Sequence, residues 1–181
     1  MKTPVRSENA RPVRSRHVPG GAANGELGQL DPLLARILAA RGIRSATELD
    51  YSLGLLAPVG SLPGIHAAVD LLLEYRERRI VVIGDFDADG ATSTALVLRC
   101  LRQFGFADVS YLVPNRFDFG YGLTPEIVRV AAERSPDLLL TVDSGISCVA
   151  GAAEARRLGM QVLVTDHHLP GSTLPAAAAI V

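Results

Sequence analysis

Residues 84–90 read GDFDADG and place Asp85, Asp87 and Asp89 on alternate positions straight after the apolar run Ile80-Val81-Val82-Ile83. Three carboxylates this close raise one another's pKa unless a cation compensates them. The pattern returns further along. Asp143-Ser144-Gly145 follows the apolar run 138–142, and Asp166-His167-His168 follows 161–165. Asn115 and Arg116 follow a fourth run, 109–113. Oxygen ligands with one or two imidazoles suit Mn²⁺, Mg²⁺ or Zn²⁺. The lack of cysteine ligands argues against a structural zinc, and imidazole favours Mn²⁺ over Mg²⁺. Asp85, Asp87, Asp89, Asp143 and Asp166 exceed what one ion with open positions needs. Two ions sharing a bridging carboxylate fit better, as in phosphoester hydrolysis.

Rival chemistries meet specific obstacles. The run D-x-D-x-D-G also opens a calcium-binding EF-hand loop, but position twelve counted from Asp85 is Leu96 where Glu is required, and a strand precedes. The glycine patterns of dinucleotide and P-loop sites are absent. Asp87-Ala-Asp89-Gly90-Ala91-Thr92 imitates a haloacid-dehalogenase-type phosphatase, with an Asp nucleophile and one Mg²⁺, yet that mechanism leaves Asp166-His167-His168 unexplained. A hydrolase built on Ser144 would want Gly at position 142, which is Val. Helix caps and turns could account for any single acidic strand end, and account poorly for three together.

The elements that must position these residues follow from periodicity. Runs 80–83, 109–113, 138–142 and 161–165 are continuous and apolar, as strands buried on both faces are. Helical segments alternate with them. One lies near 65–77, one covers about 91–104 and stops at Gly105, one starts at Thr124-Pro125, and one ends at Gly159. This alternation predicts an α/β fold, a three-layer parallel sheet with right-handed crossovers. Such sheets bind ligands at the carboxyl ends of their strands, where the polar residues fall. Upstream, Asp31-Pro32 predicts a helix start with Leu33, Leu34, Ile37 and Leu38 as its apolar face and Gly42 as its stop. Ser45-Ala-Thr-Glu48 matches a capping box for a second short helix. Residues 29–60 thus read as a small N-terminal helical appendage, with 61–181 as the main domain. Residues 1–28 carry basic side chains without apolar periodicity and read as a flexible tail.

The chain has 181 residues, 48% hydrophobic and 20% charged, with a net charge of −1. That is ordinary for a soluble globular protein and gives no global charge argument for nucleic acid. Cys100 and Cys148 lie in no metal-type spacing and read as buried thiols in a reducing compartment. No apolar run reaches a membrane-spanning length, so no membrane partner is expected. With no signal-peptide core, a cytoplasmic location is the default expectation.

Together, VVIGDFDADGATSTAL (81–96), VPNRFDFGYGLTPEIV (113–128), TVDSGIS (141–147) and VTDHHLPG (164–171) resemble the DHH phosphoesterase superfamily, named for the triplet here at 166–168. Within it they are similar to the bacterial single-strand-specific exonucleases, in order and from about residue 61 onward. The resemblance implies two divalent ions, Mn²⁺ or Mg²⁺, and 5′-to-3′ degradation of single-stranded DNA in recombination and repair. It implies a RecQ-type helicase and single-strand-binding protein as partners. It assigns Asp87 and Asp89 as metal ligands with Asp85 as a third, Asp143 as the bridging carboxylate and His167 as a ligand. His168 matches the position facing the scissile phosphate, and Asp166 one that orients a histidine. Asn115 and Arg116 are expected to meet DNA phosphate or the transition state. Position 144 is Ser where many relatives have Asn. Other branches of the superfamily act on short oligonucleotides, cyclic dinucleotides or pyrophosphate. Residues 176–181 read as a strand just beginning. The chain is therefore expected to be an N-terminal piece lacking a further metal-binding Asp and the domains beyond it.

Overall fold

The structure, a computed structural model, describes residues 26–181. The basic-tail reading lies outside the described residues as far as position 25; beyond it, Glu26–Gln29 forms a 3₁₀ turn with Leu27 buried. The chain divides into two units between Ala57 and Pro58. In the first, helix α1 (Pro32–Ala40) starts where expected, with Asp31 accepting the Leu33 N–H at 2.8 Å. Its buried residues are Ala35 and Ala39, whereas Leu33, Leu34 and Ile37 of the expected apolar face are exposed. The Ser45–Glu48 box forms, with the Ser45 N–H donating to Glu48 Oε1 at 3.0 Å, but it opens only one 3₁₀ turn, Ala46–Leu49. A cap satisfies orphan donors; it does not supply an apolar face to propagate a helix.

The second unit is the three-layer α/β domain. Helix α2 (Ile65–Glu74) precedes strand β1 (Arg79–Ile83), followed by α3 (Ala88–Gln103) and β2 (Asp108–Leu112). Next come the short α4 (Arg116–Phe119), α5 (Pro125–Ala132), β3 (Leu138–Val142), α6 (Val149–Arg157), β4 (Gln161–Thr165) and β5 (Ala179–Ile180). All strands are parallel, in the order β2-β1-β3-β4-β5. The strand expected at 176–181 is therefore β5, paired to β4 through Leu163 with Ala179 and Val164 with Ile180.

Alternation along the strands divides the core. Ile80, Val82, Leu138, Leu140 and Leu163 face a layer containing Ala68 and Tyr75 near α2 and Leu98 and Leu101 of α3. Val81, Ile83, Leu139, Val162 and Val164 face Ile127, Val128 and Ala131 of α5 and Ala155 of α6. The chain steps from β1 outward to β2, then crosses back to β3 on the other side of β1. Reversing direction with a constant crossover hand moves the connecting helices to the opposite face. Beside α2 and α3 lies an apolar groove of about 480 Å³, lined in part by Leu72, Val97, Leu140, Leu163 and Val181. Both cysteines are free and half-buried rather than buried. Among the described residues no helix is long and apolar enough to cross a membrane.

Candidate metal centre

The reversal of strand order lies between β1 and β3, and the crevice outside such a point is where open α/β sheets bind ligands. Asp85 and Asp87 leave the end of β1 there, and Asp143 leaves the end of β3. Asp166, His167 and His168 arrive from the end of neighbouring β4.

The β1 turn is tight. Asp87 is the N-cap of α3, its Oδ1 accepting the Gly90 N–H at 3.0 Å. The helix thus begins at Ala88, three residues ahead of the expected 91, and Asp89 sits in its first turn. A Cβ at position 90 would stand 2.5 Å from Asp85 Cβ and 2.7 Å from its backbone, so only glycine lets the helix approach the strand end. That Gly90 N–H is the leading cause holding the Asp87 carboxyl below its usual range, with Arg116 adding to it.

Asp85 is 3% exposed and already has a cation. Arg116 Nε donates to its Oδ1 at 3.0 Å and Nη2 donates to its Oδ2. The same Nη2 reaches Asp87 Oδ2 at 3.1 Å. The guanidinium also lies over the rings of Phe86 and Tyr121, 4.4 and 4.8 Å from their centroids. Asn115 is engaged locally. It caps α4 by accepting the Phe117 N–H at 3.1 Å and donates to Asp118 at 2.7 Å.

The second half of the cluster centres on Asp143, whose side chain is 7% exposed. His167 Nε2 lies 2.8 Å from Asp143 Oδ1. Asp166 is 2% exposed on its side chain and joins the two strand ends. Its Oδ2 accepts the Ile146 N–H at 2.9 Å, and its Oδ1 accepts the His168 N–H at 3.0 Å and lies 2.7 Å from His168 Nδ1. Burial pushes the Asp166 carboxyl up, but these Ile146 and His168 donors outweigh it and hold it below its usual range. The hydrogen bond to Asp166 raises the His168 pKa, against a smaller opposing effect of burial.

Ligand-grade atoms of Asp85, Asp87 and Asp143 lie within 4.8 Å of one another, as do those of Asp143, His167 and His168. Asp143 belongs to both sets. Asp89 is outside both sets. It lines a cavity of about 330 Å³ with Thr92, Ser93, Asp143, Thr165, Asp166 and His167. Tyr121 was given no role by the sequence, although its place between two glycines in Gly120-Tyr121-Gly122 was a usable signal. Its phenol is pushed up to about 12, first by burial and then by Asp166, Asp143 and Asp85.

A parallel three-layer sheet with carboxylate and histidine donors gathered at its switch point defines the class, an α/β protein with a candidate metal centre. Residues 79–181 match the DHH family, N-terminal domain, and the chain belongs to that family. It is similar to the single-stranded-DNA-specific exonuclease RecJ of Escherichia coli K12, 55% identical over 155 residues, which cover 84% of this chain and 27% of that protein. Its likeness to the Thermus thermophilus RecJ is 44% over 142 residues, 77% of this chain and 20% of that one. Among solved structures, exonuclease RecJ bound to manganese superposes with a TM-score of 0.60 at 44% identity, over 68% of this chain and 32% of that chain. RecJ in complex with Mn²⁺ from Thermus thermophilus gives 0.58 at 36% identity, over 90% and 23%. The chain spans about a quarter of the length of the first curated relatives it matches.

Proposed function

We propose that this chain carries metal-binding residues of a 5′-to-3′ exonuclease specific for single-stranded DNA, which hydrolyses phosphodiester bonds in DNA recombination and repair. The observation that carries the reading is the convergence of Asp87, Asp143, His167 and His168 on one crevice, with Asp143 common to both donor sets. The sets fit divalent ions in chemistry, being carboxylate oxygen with imidazole nitrogen and no thiolate. Asp87, Asp143 and His167 would hold two such ions, Mn²⁺ or Mg²⁺, with Asp89, outside both donor sets, contributing from the cavity it lines with Asp143 and His167. Asp85 lies in the same cluster, but its charge is compensated by Arg116. The ions would supply an activated water and screen charge on the phosphate.

The chain's own residues do the rest. Asp166 fixes the His168 ring through Nδ1, leaving Nε2 to face a substrate. With its pKa raised, that ring carries a proton more readily near neutrality and suits a phosphate oxygen or a leaving group. Arg116 uses Nε and Nη2 on Asp85 and Asp87, so its Nη1 donors remain for DNA phosphate. Asn115 would act beside it through the second hydrogen of its Nδ2, the first being held by Asp118. Partners of the helicase and single-strand-binding kind, and a cytoplasmic location, belong to the same reading.

The experiment is a nuclease assay with Mn²⁺ on 5′-ended single strands, duplexes and dinucleotides. In the full-length enzyme single strands are expected to be degraded, and Asp143→Asn to lower turnover by about 100-fold or more with an unchanged circular dichroism spectrum. Wild-type turnover in that variant overturns the bridging role. Preference for dinucleotides moves the protein to another branch of the family.

A further inference from the structure

Asp143 has φ of 56°, in the left-handed region, which strains most side chains and Asp less than others. What holds it reaches across from the loop after α4. The Tyr121 hydroxyl donates to the Asp143 carbonyl oxygen at 3.0 Å, joining residues 22 apart in sequence. The ring is itself fixed on two sides. The Arg116 guanidinium lies 4.8 Å from its centroid, and the His168 ring meets it edge-on at 6.2 Å. Gly120 and Gly122, on either side, have φ of 76° and 73°, so the chain turns out at the tyrosine and back.

We infer that Tyr121 is a positioning residue, whose hydroxyl fixes the Asp143 backbone so that its carboxylate stands between the Asp85–Asp87 pair and His167. Rotating the Asp143 peptide would swing that carboxylate away from one donor set or the other. The hydroxyl touches the carbonyl and not the carboxylate, so it sets direction without occupying a ligand position. The ring, by bearing on Arg116 and His168, ties both halves of the cluster to one side chain.

The inference rests on the metal reading above, and its test separates the two. Mn²⁺ affinity is measured from the electron paramagnetic resonance signal of the free ion, for wild type, Tyr121→Phe and Tyr121→Leu. Amide hydrogen exchange is followed at Ile146 and Cys148, whose N–H groups bond Asp166 and Gly145 beside the turn. Tyr121→Phe removes only the hydroxyl and is expected to weaken Mn²⁺ binding by about tenfold. It should also speed exchange at both amides while lowering the thermal midpoint by no more than a few degrees. Tyr121→Leu, which also removes the ring, should weaken binding further. If wild type binds Mn²⁺ and Tyr121→Phe binds it equally well, the inference is overturned whatever the exchange shows. If wild type binds no Mn²⁺, the metal reading fails and exchange decides alone. Faster exchange in Tyr121→Phe then supports the positioning role, and unchanged exchange overturns it.

Discussion

Arg116 shows how one side chain can serve an acidic site before any ligand arrives. Its bonds to Asp85 and Asp87 set a fixed positive charge among carboxylates that would otherwise repel. Asp85, almost fully buried, depends on it most. Truncating one partner of a buried pair leaves the other charge desolvated and alone, whereas replacing both is milder. Arg116→Gln is therefore expected to lower the thermal midpoint by several degrees, and the double variant Asp85→Asn with Arg116→Gln by less, in the same thermal melts. A double variant as unstable as the single would contradict the pairing. This commitment of Arg116 was not legible in the sequence. Arg116 sits at a strand end like the metal-site residues do, and its partner lies 31 positions away. The Tyr121 contact with Asp143 was hidden for the same reason: long-range pairing leaves no periodic trace.

At the scale of elements, strands were the most legible. Each apolar run became a strand within one residue at either end. Runs β1, β3 and β4 are buried along nearly their whole length, as expected, whereas β2 lies at the sheet edge and leaves Tyr111 exposed, so burial on both faces does not hold there. Helix starts were less so. The α3 start was misplaced because Asp87, read for metal, is also a cap, and one carboxylate can do both. The seam between β1 and α3 has its own prediction. Gly90→Ala drives a methyl into the Asp85 backbone, and overpacking of this kind costs about 1–3 kcal/mol. Urea unfolding should show that loss with an unchanged slope. On the opposite face, Glu154 of α6 joins Arg157 at 2.7 Å and Arg129 of α5 at 2.9 Å. The Arg157 hydrogen bond leads in depressing its carboxyl from 4.5 to about 2. A carboxyl depressed in the folded state stabilises above its unfolded pKa and loses that contribution as pH falls through the folded value. The midpoint difference between wild type and Glu154→Gln should thus be full above about pH 5 and fade toward pH 2. A difference independent of pH would remove the ion pairs as its cause.

For the whole molecule, the sheet order brings together residues from 85 to 168, and no local segment holds the site. An ion bound there cross-links the ends of three strands. Ligand that binds only the folded state adds about 2.7 kcal/mol at a concentration 100 times its dissociation constant. Mn²⁺ should accordingly raise the thermal midpoint, and a chelator should return it to the metal-free value with circular dichroism still that of a folded protein. Unfolding on chelation would be the contrary result. The expected outcome traces back to the guanidinium at the end of β1. Zinc-finger domains need their ion to fold, because nothing else organises the ligands. Here a resident counter-ion lets the acidic edge close during folding. Loading is then expected to be a separate and reversible step that follows folding and is not a condition of it.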